Sequence, residues 1–201
     1  MLIPRPESED LVDAALAHLH EHGIARPDIL DLGTGSGCVA VALAHARPDA
    51  RVTAVEASAA ALALARRNAR RHALDNIELV EGEWFAPLNA RSFDVIVANP
   101  PYVRSDDPHL RRGDTRFEPV RALDGGPDGL AALREIAAGA PHFLRPGGLL
   151  AVEHGPDQAQ AVVELLRAQR LVDIGVRPDL AGLARVTVGR RADDAGHDAD
   201  D

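Results

Sequence analysis

Two apolar patterns alternate along the chain. Short continuous runs, Ile29 to Leu32, "RVTAVEAS" ending at Glu56, "NIELVEG" and "FDVIVA", are bounded by glycine, proline or carboxylates. Runs of this length predict strands, and the most apolar ones predict burial on both faces. Between them lie stretches with apolar residues every three to four positions. The opening "IPRPESEDLVDAALAHLHEHG" has an extended Pro-rich start, then Leu11, Ala15 and Leu19 at helical spacing, and Gly23 as a stop. Further helices are predicted after the glycine turn to about Ala46 and over "AAALALARRNARRHA", where Ser58 is placed as the cap. Others fall around Leu130 to His142 and over "DQAQAVVELLRAQR". "RPGGLLAVEHG" reads as a turn and fifth strand, and "LVDIGVRP" and "ARVTVGR" as two closing strands joined by "DLAGL".

Strand–helix alternation through five strands predicts an α/β fold with a parallel sheet covered on both faces. The last two strands lack an intervening helix, so a hairpin should bring one antiparallel strand into a seven-stranded sheet. Ligands bind beyond the carboxyl ends of such parallel strands. The segment from Val103 to Gly129 has little periodicity and is too long for an ordinary connection, so it is expected to be a lid.

Composition narrows the picture. The 201 residues suit one domain, and the net charge of −9 weighs against a dedicated nucleic-acid binder. The exposed-looking Arg66, Arg67, Arg70 and Arg71 are expected to form a solvated helix face. Cys38 stands alone, which excludes an intramolecular disulfide and a multi-cysteine metal site; it is expected to be a small buried hydrophobe. His18 and His22 are four apart and could share a metal, but no third ligand is near in sequence. Cations are favoured at a helix C-terminus, so a solvated face is expected and no metal site. No leader and no membrane-length apolar run is visible, which points to a soluble cytoplasmic protein. The acidic tail, 192–201, is expected to be disordered, leaving 1–191 as a single domain whose opening segment and helix are 1–23.

The chemistry gathers on the expected rim. Gly33-Thr34-Gly35-Ser36-Gly37 sits between strand and helix, where glycines let backbone N–H groups approach a ligand. Glu56 ends the second strand 23 residues after Gly33, where a carboxylate can accept both hydroxyls of a ribose. Trp84 follows the third strand and could supply a face for a base or a wall beside the methionine part. NAD and S-adenosylmethionine both suit such a site, although Cys38 stands where a dinucleotide turn wants a third glycine.

The fourth strand decides between them by ending on Asn99-Pro100-Pro101-Tyr102. Two prolines fix two φ angles and remove two donors, leaving an amide side chain, rigid carbonyls and one aromatic ring. Hydride transfer has no use for that set. Methyl transfer to a planar NH2 does, because the Asn99 oxygen and the Pro100 carbonyl can each accept one N–H and fix the nitrogen. Tyr102 can wall the substrate group.

These residues resemble the HemK-type peptide-chain-release-factor glutamine N5-methyltransferases, which modify the glutamine of a Gly-Gly-Gln loop. The match runs through "IPRPESE", "DLGTGSG", "NPPY", "EPVRALDGGPDGL" and "PGGLLAVEHGPDQ". The resemblance implies a Rossmann-like class I fold and S-adenosylmethionine as cofactor. It implies Gly33, Thr34, Gly35, Ser36 and Gly37 against the methionine part, Glu56 on the ribose and Trp84 lining the cofactor. Asn99 would touch cofactor and substrate, and Asn99 to Tyr102 would bind the glutamine. The implied partner is a release factor, met by a monomer without membrane or direct nucleic-acid binding. Glu56 and Glu83 stand where the family commonly has Asp. The family also carries a small helical domain before "IPRPE", where this sequence begins, which implies either a truncated form or a substrate recognition that is weaker or different. NPPY also occurs in methyltransferases acting on adenine or guanine, and a cofactor-binding remnant is the remaining alternative. A nucleic-acid enzyme would need a basic, aromatic-studded surface, and none is visible.

Overall fold

The computed structural model describes residues 8–108 and 122–194. One sheet contains β1 (Asp28–Leu32), β2 (Arg51–Glu56), β3 (Ile77–Glu81), β4 (Phe93–Ala98), β5 (Leu144–Glu153), β6 (Val172–Pro178) and β7 (Ala184–Arg190). The order across it is β3-β2-β1-β4-β5-β7-β6. β1 to β5 pair in parallel, and β7 lies antiparallel between β5 and β6. This is the mostly parallel sheet with one reversed strand that the sequence predicts.

The central strands explain why both layers form. In β4, Val95 and Val97 face one side and Ile96 and Ala98 the other, all fully buried. The first side packs against α1 (Ser8–Glu21) and α2 (Cys38–Ala46), the second against α4 (Ala131–Phe143) and α5 (Ala159–Ala168). Each fully buried Val or Leu contributes about 1.5–3 kcal/mol, so burying two faces per strand holds the rim in place. α3 (Ala59–Arg71) buries Leu62 and Ala65 and exposes all four arginines, as expected. Its first turn is capped by Ser58, whose Oγ accepts from Ala61 N at 3.3 Å.

The expected solvated face of the first helix needs correction. His20 and His22 are exposed, but His18 is only 5 % exposed. It lies four residues after Ala14 and seven after Leu11, on the stripe that packs against the sheet. Burial, with the nearby His22 and Arg190 charges, pushes its pKa down to about 4, so it is neutral at pH 7. Its Nε2 is buried without a hydrogen-bond partner among the described residues.

At the amino ends of the strands the charges are mutually paired. Asp28 accepts from Arg51 and, at 2.5 Å, from Arg145. Asp94 accepts from Arg145 and from Asp28 N at 2.8 Å. Past β7, Arg191 N donates to Gly148 O at 2.9 Å, so the chain stays attached beyond the last strand. The rest of the expected acidic tail, 195–201, lies outside the described residues, as do 109–121 of the expected lid. Among the described residues, no helix is long and apolar enough to cross a membrane.

Candidate active site

The carboxyl ends of β1, β2 and β4 open into a cavity of ≈ 470 Å³. The turn after β1 is built against β2: Gly33 N and Thr34 N both donate to Val55 O, at 2.9 and 3.0 Å. Two glycines are required for it. Gly37 takes φ 82°, and a Cβ there would sit 3.0 Å from Ala65 Cβ. Gly33 takes φ 69°, and its Cβ would press on the Trp84 ring at 3.2 Å. Side chains at either position would push the turn away from α3 or from the tryptophan.

Two carboxylates face this turn. Glu56 accepts from Gly35 N at 2.8 Å and from Ser58 N at 2.7 Å. These bonds orient the carboxylate while leaving it further lone pairs for a ligand. Asp31, 2 % exposed in β1, also lines the cavity and accepts from Thr34 Oγ1 at 2.5 Å. Burial raises its pKa to about 6, only partly opposed by the Thr34 hydrogen bond. Cys38 lines the same wall half-buried, its thiol pKa raised by burial.

Trp84 forms the opposite wall with Glu83 and Gly82. It takes φ 45°, a conformation that costs on the order of 1–3 kcal/mol for such a residue. The next residue holds it there, since the Phe85 ring stacks on Phe143 of α4 with centroids 4.7 Å apart.

The tip of β4 completes the cavity. Asn99 and Pro101 line it, Pro100 is buried, and Tyr102 is half-buried against the α4–α5 layer. Of the residues singled out in sequence, Gly33, Thr34, Gly35, Ser36, Glu56, Trp84, Asn99 and Pro101 meet around one space; Gly37, Pro100 and Tyr102 stand behind it. The Tyr102 hydroxyl donates to Glu153 Oε1 at 3.2 Å, and Glu153 is 1 % exposed at the end of β5. Gln158 secures the same tip: its Nε2 donates to Tyr102 O at 3.0 Å and Gly129 O at 3.2 Å, while its Oε1 accepts from Gly155 N. The described ends of the expected lid are tied together, since Val103 N donates to Leu123 O and Gly125 N to Val103 O. Ala122, at the second of those ends, lines the cavity.

Sequence reasoning missed Asp31, Glu153 and Gln158. A signal existed for Asp31, a carboxylate inside an apolar strand run directly before the glycine turn. Gln158 and Glu153 had none beyond lying in one of the resembling motifs, because their partner Tyr102 is more than fifty residues away.

Known proteins are similar to this chain in sequence and in fold. A family profile described as "Methyltransferase small domain" matches residues 8–114. The release factor glutamine methyltransferase of Xylella fastidiosa (strain Temecula1) is 53% identical over 189 residues, covering 94% of this chain and 68% of that protein. Among solved structures, a release-factor-specific protein-(glutamine-N5) methyltransferase from Alicyclobacillus acidocaldarius is similar with a TM-score of 0.57 and 31% identity, covering 94% of both chains. A T. thermophilus 16S rRNA methyltransferase in complex with AdoMet and guanosine has a TM-score of 0.68 at 21% identity, covering 94% of this chain and 44% of that one. That second likeness is one of fold, a class I methyltransferase sheet.

Proposed function

The chain belongs to the release factor glutamine methyltransferases, and from that premise we propose that Asn99 to Tyr102 hold the glutamine NH2 of a release factor for methylation at N5. The cofactor is S-adenosylmethionine. The cavity fits it: ≈ 470 Å³ is within the usual range of small-molecule sites, and the glycine turn admits close backbone approach. When bound, S-adenosylmethionine supplies an electrophilic methyl group on a positively charged sulfur. Glu56, preset by Gly35 N and Ser58 N, accepts the ribose hydroxyls, and Trp84 lines the adenosine end. Gly33 to Ser36 and the buried Asp31, which line the cavity, would hold the methionine part, with Gly37 keeping the turn close to α3.

One observation carries the reading: Asn99 and Pro101 open onto the same space as the glycine turn and Glu56. An amide nitrogen is a poor nucleophile because its lone pair is delocalised into the carbonyl. Asn99 Oδ1 and the Pro100 carbonyl each accept one of its hydrogens and present the nitrogen face-on. Fixing two reactants in this way contributes about 7–11 kcal/mol in favourable cases. The nitrogen that gains the methyl group gives up one of its protons to water. Pro100 and Pro101 keep the carbonyl from rotating, and Glu153 and Gln158 hold Tyr102 from behind. The net charge of −9 supports a protein partner over nucleic acid.

The test is incubation with methyl-labelled S-adenosylmethionine and an unmodified release factor, with the label located by peptide mass spectrometry. Label on the glutamine of the Gly-Gly-Gln loop is expected. Label on adenine or guanine of added nucleic acid, with none on the release factor, would overturn the assignment.

A further inference from the structure

The exposed large hydrophobic residues among those described all lie in one hairpin: Val176, Leu180 and Leu183 toward its tip, and Val172 at its far end, paired with Arg190. Scattered singly they would need no explanation; gathered in one element they mark a contact surface. Leu180 is 100% exposed at the tip, between β6 and β7. The tip is built, not slack. Asp179 accepts from Ala181 N and Leu183 N, both at 2.9 Å, and from Arg185 Nε at 3.2 Å. Asp179 N donates back to Leu183 O at 2.8 Å. The carboxylate's pKa is lowered, chiefly by the bond from Leu183 N, so the loop stays charged and closed at neutral pH.

The place of this tip decides its partner. β7 is antiparallel to β5, so its first residues stand at the same end of the sheet as the Glu153 end of β5 and the Asn99 end of β4. His154 N donates to Arg185 O at 2.9 Å, which joins the hairpin base to the strand that steadies Tyr102. From β4 to β6 there are three strand spacings, about 14 Å at ~4.8 Å each. A standard protein interface covers about 800 Å² per partner, a disc of radius about 16 Å. A footprint of that size placed between Asn99 and the hairpin therefore covers both.

We infer that the β6–β7 hairpin is a docking point for the protein substrate, with Leu180 and Leu183 seated against an apolar patch beside the release factor's Gly-Gly-Gln loop. The inference rests on the release-factor reading above. The hairpin selects the whole protein over a free peptide, because a short peptide filling the clamp does not extend that far. The loop is pre-ordered, so docking costs little conformational entropy.

The experiment compares wild type with Leu180→Asp and Leu180→Ser on two substrates, an unmodified release factor and a short Gly-Gly-Gln peptide. Binding of the release factor is measured in parallel by surface plasmon resonance. KM for the release factor should rise about tenfold and its affinity fall about tenfold, with kcat and the peptide kinetics unchanged. Because Leu180 makes no buried contact, thermal unfolding should match the wild type. A KM and an affinity within twofold of the wild type would overturn the docking point. So would sedimentation showing a wild-type dimer that Leu180→Asp converts to monomers, since the hairpin would then serve a second copy of this chain. A wild type that binds the release factor but never methylates it would defeat the functional reading, while a tenfold loss of binding in Leu180→Asp would still support the hairpin.

Discussion

The two rims of the sheet use charge in opposite ways. At the amino ends of the strands, Asp28 and Asp94 meet Arg51 and Arg145. At the carboxyl ends, Asp31 and Glu56 accept from a hydroxyl and from backbone N–H groups. Among the described residues neither of these two is in an ion pair. Paired charges cancel and tie strands together. Unpaired carboxylates around a half-buried cavity keep a negative potential that a cationic ligand can neutralise, at a cost in stability while they wait. One end of the sheet stabilises and the other recognises.

The sharpest break of this contrast is at Asn99. Asn99→Ala should lower the single-turnover methylation rate by about 10²–10³, the loss seen when one preorganised hydrogen-bonding side chain is removed from an active site. Asn99→Asp should also be slow, since its anion favours a charged ground state over a transition state in which that charge disperses. Rates within a few-fold of wild type would remove Asn99 from the clamp. The opposite rim should show the opposite signature. Asp94→Ala should cost about 2 kcal/mol of stability in urea unfolding and leave turnover untouched. The loss is moderate because Arg145 is 41% exposed and keeps Asp28. A change in kcat would mean the rims are coupled.

A smaller effect follows from Asp31. Its folded pKa is raised to about 6, so its contribution to stability falls as pH rises through that value. A cation bound beside it favours the ionised form, so cofactor affinity should rise several-fold as pH increases from about 5 to 7. Calorimetry in buffers of different ionisation enthalpy should detect a proton released on binding near pH 6, and none in Asp31→Asn. The smallest effect lies at His18. Its folded pKa is lowered to about 4 from 6.5, so protonation favours the unfolded chain and stability is lost as pH falls through that window. His18→Leu should add about 1 kcal/mol at neutral pH by removing an unpartnered buried nitrogen. It should also flatten the loss between pH 6.5 and 4; an unchanged acid transition would assign that loss elsewhere.

The strands were legible because burial on two faces leaves continuous apolar runs, and "FDVIVA" matches β4 residue for residue. Asn99, Glu56 and the glycines were legible because each sits where a strand must stop. His18 has two conflicting signals: its spacing from Leu11 puts it on the packed stripe, while its place in the last turn favours an exposed cation, and in the structure the helical period wins. Gln158 and Glu153 stayed hidden for a different reason. Their role is to hold Tyr102, and a contact between the segment after β4 and the end of β5 or the turn beyond it leaves no trace in either local pattern.

The order of the strands has a consequence for how the protein is made. The last strand in the sequence, β7, is not at the edge but between β5 and β6. During synthesis from the ribosome, β5 emerges with one edge unsatisfied, and β6 has no neighbour to pair with until β7 follows it out. A chain halted before Ala184 would thus lose two strands instead of one, and would present the bare side of β5 to other nascent chains. The arrival of β7 is the event that seals the sheet.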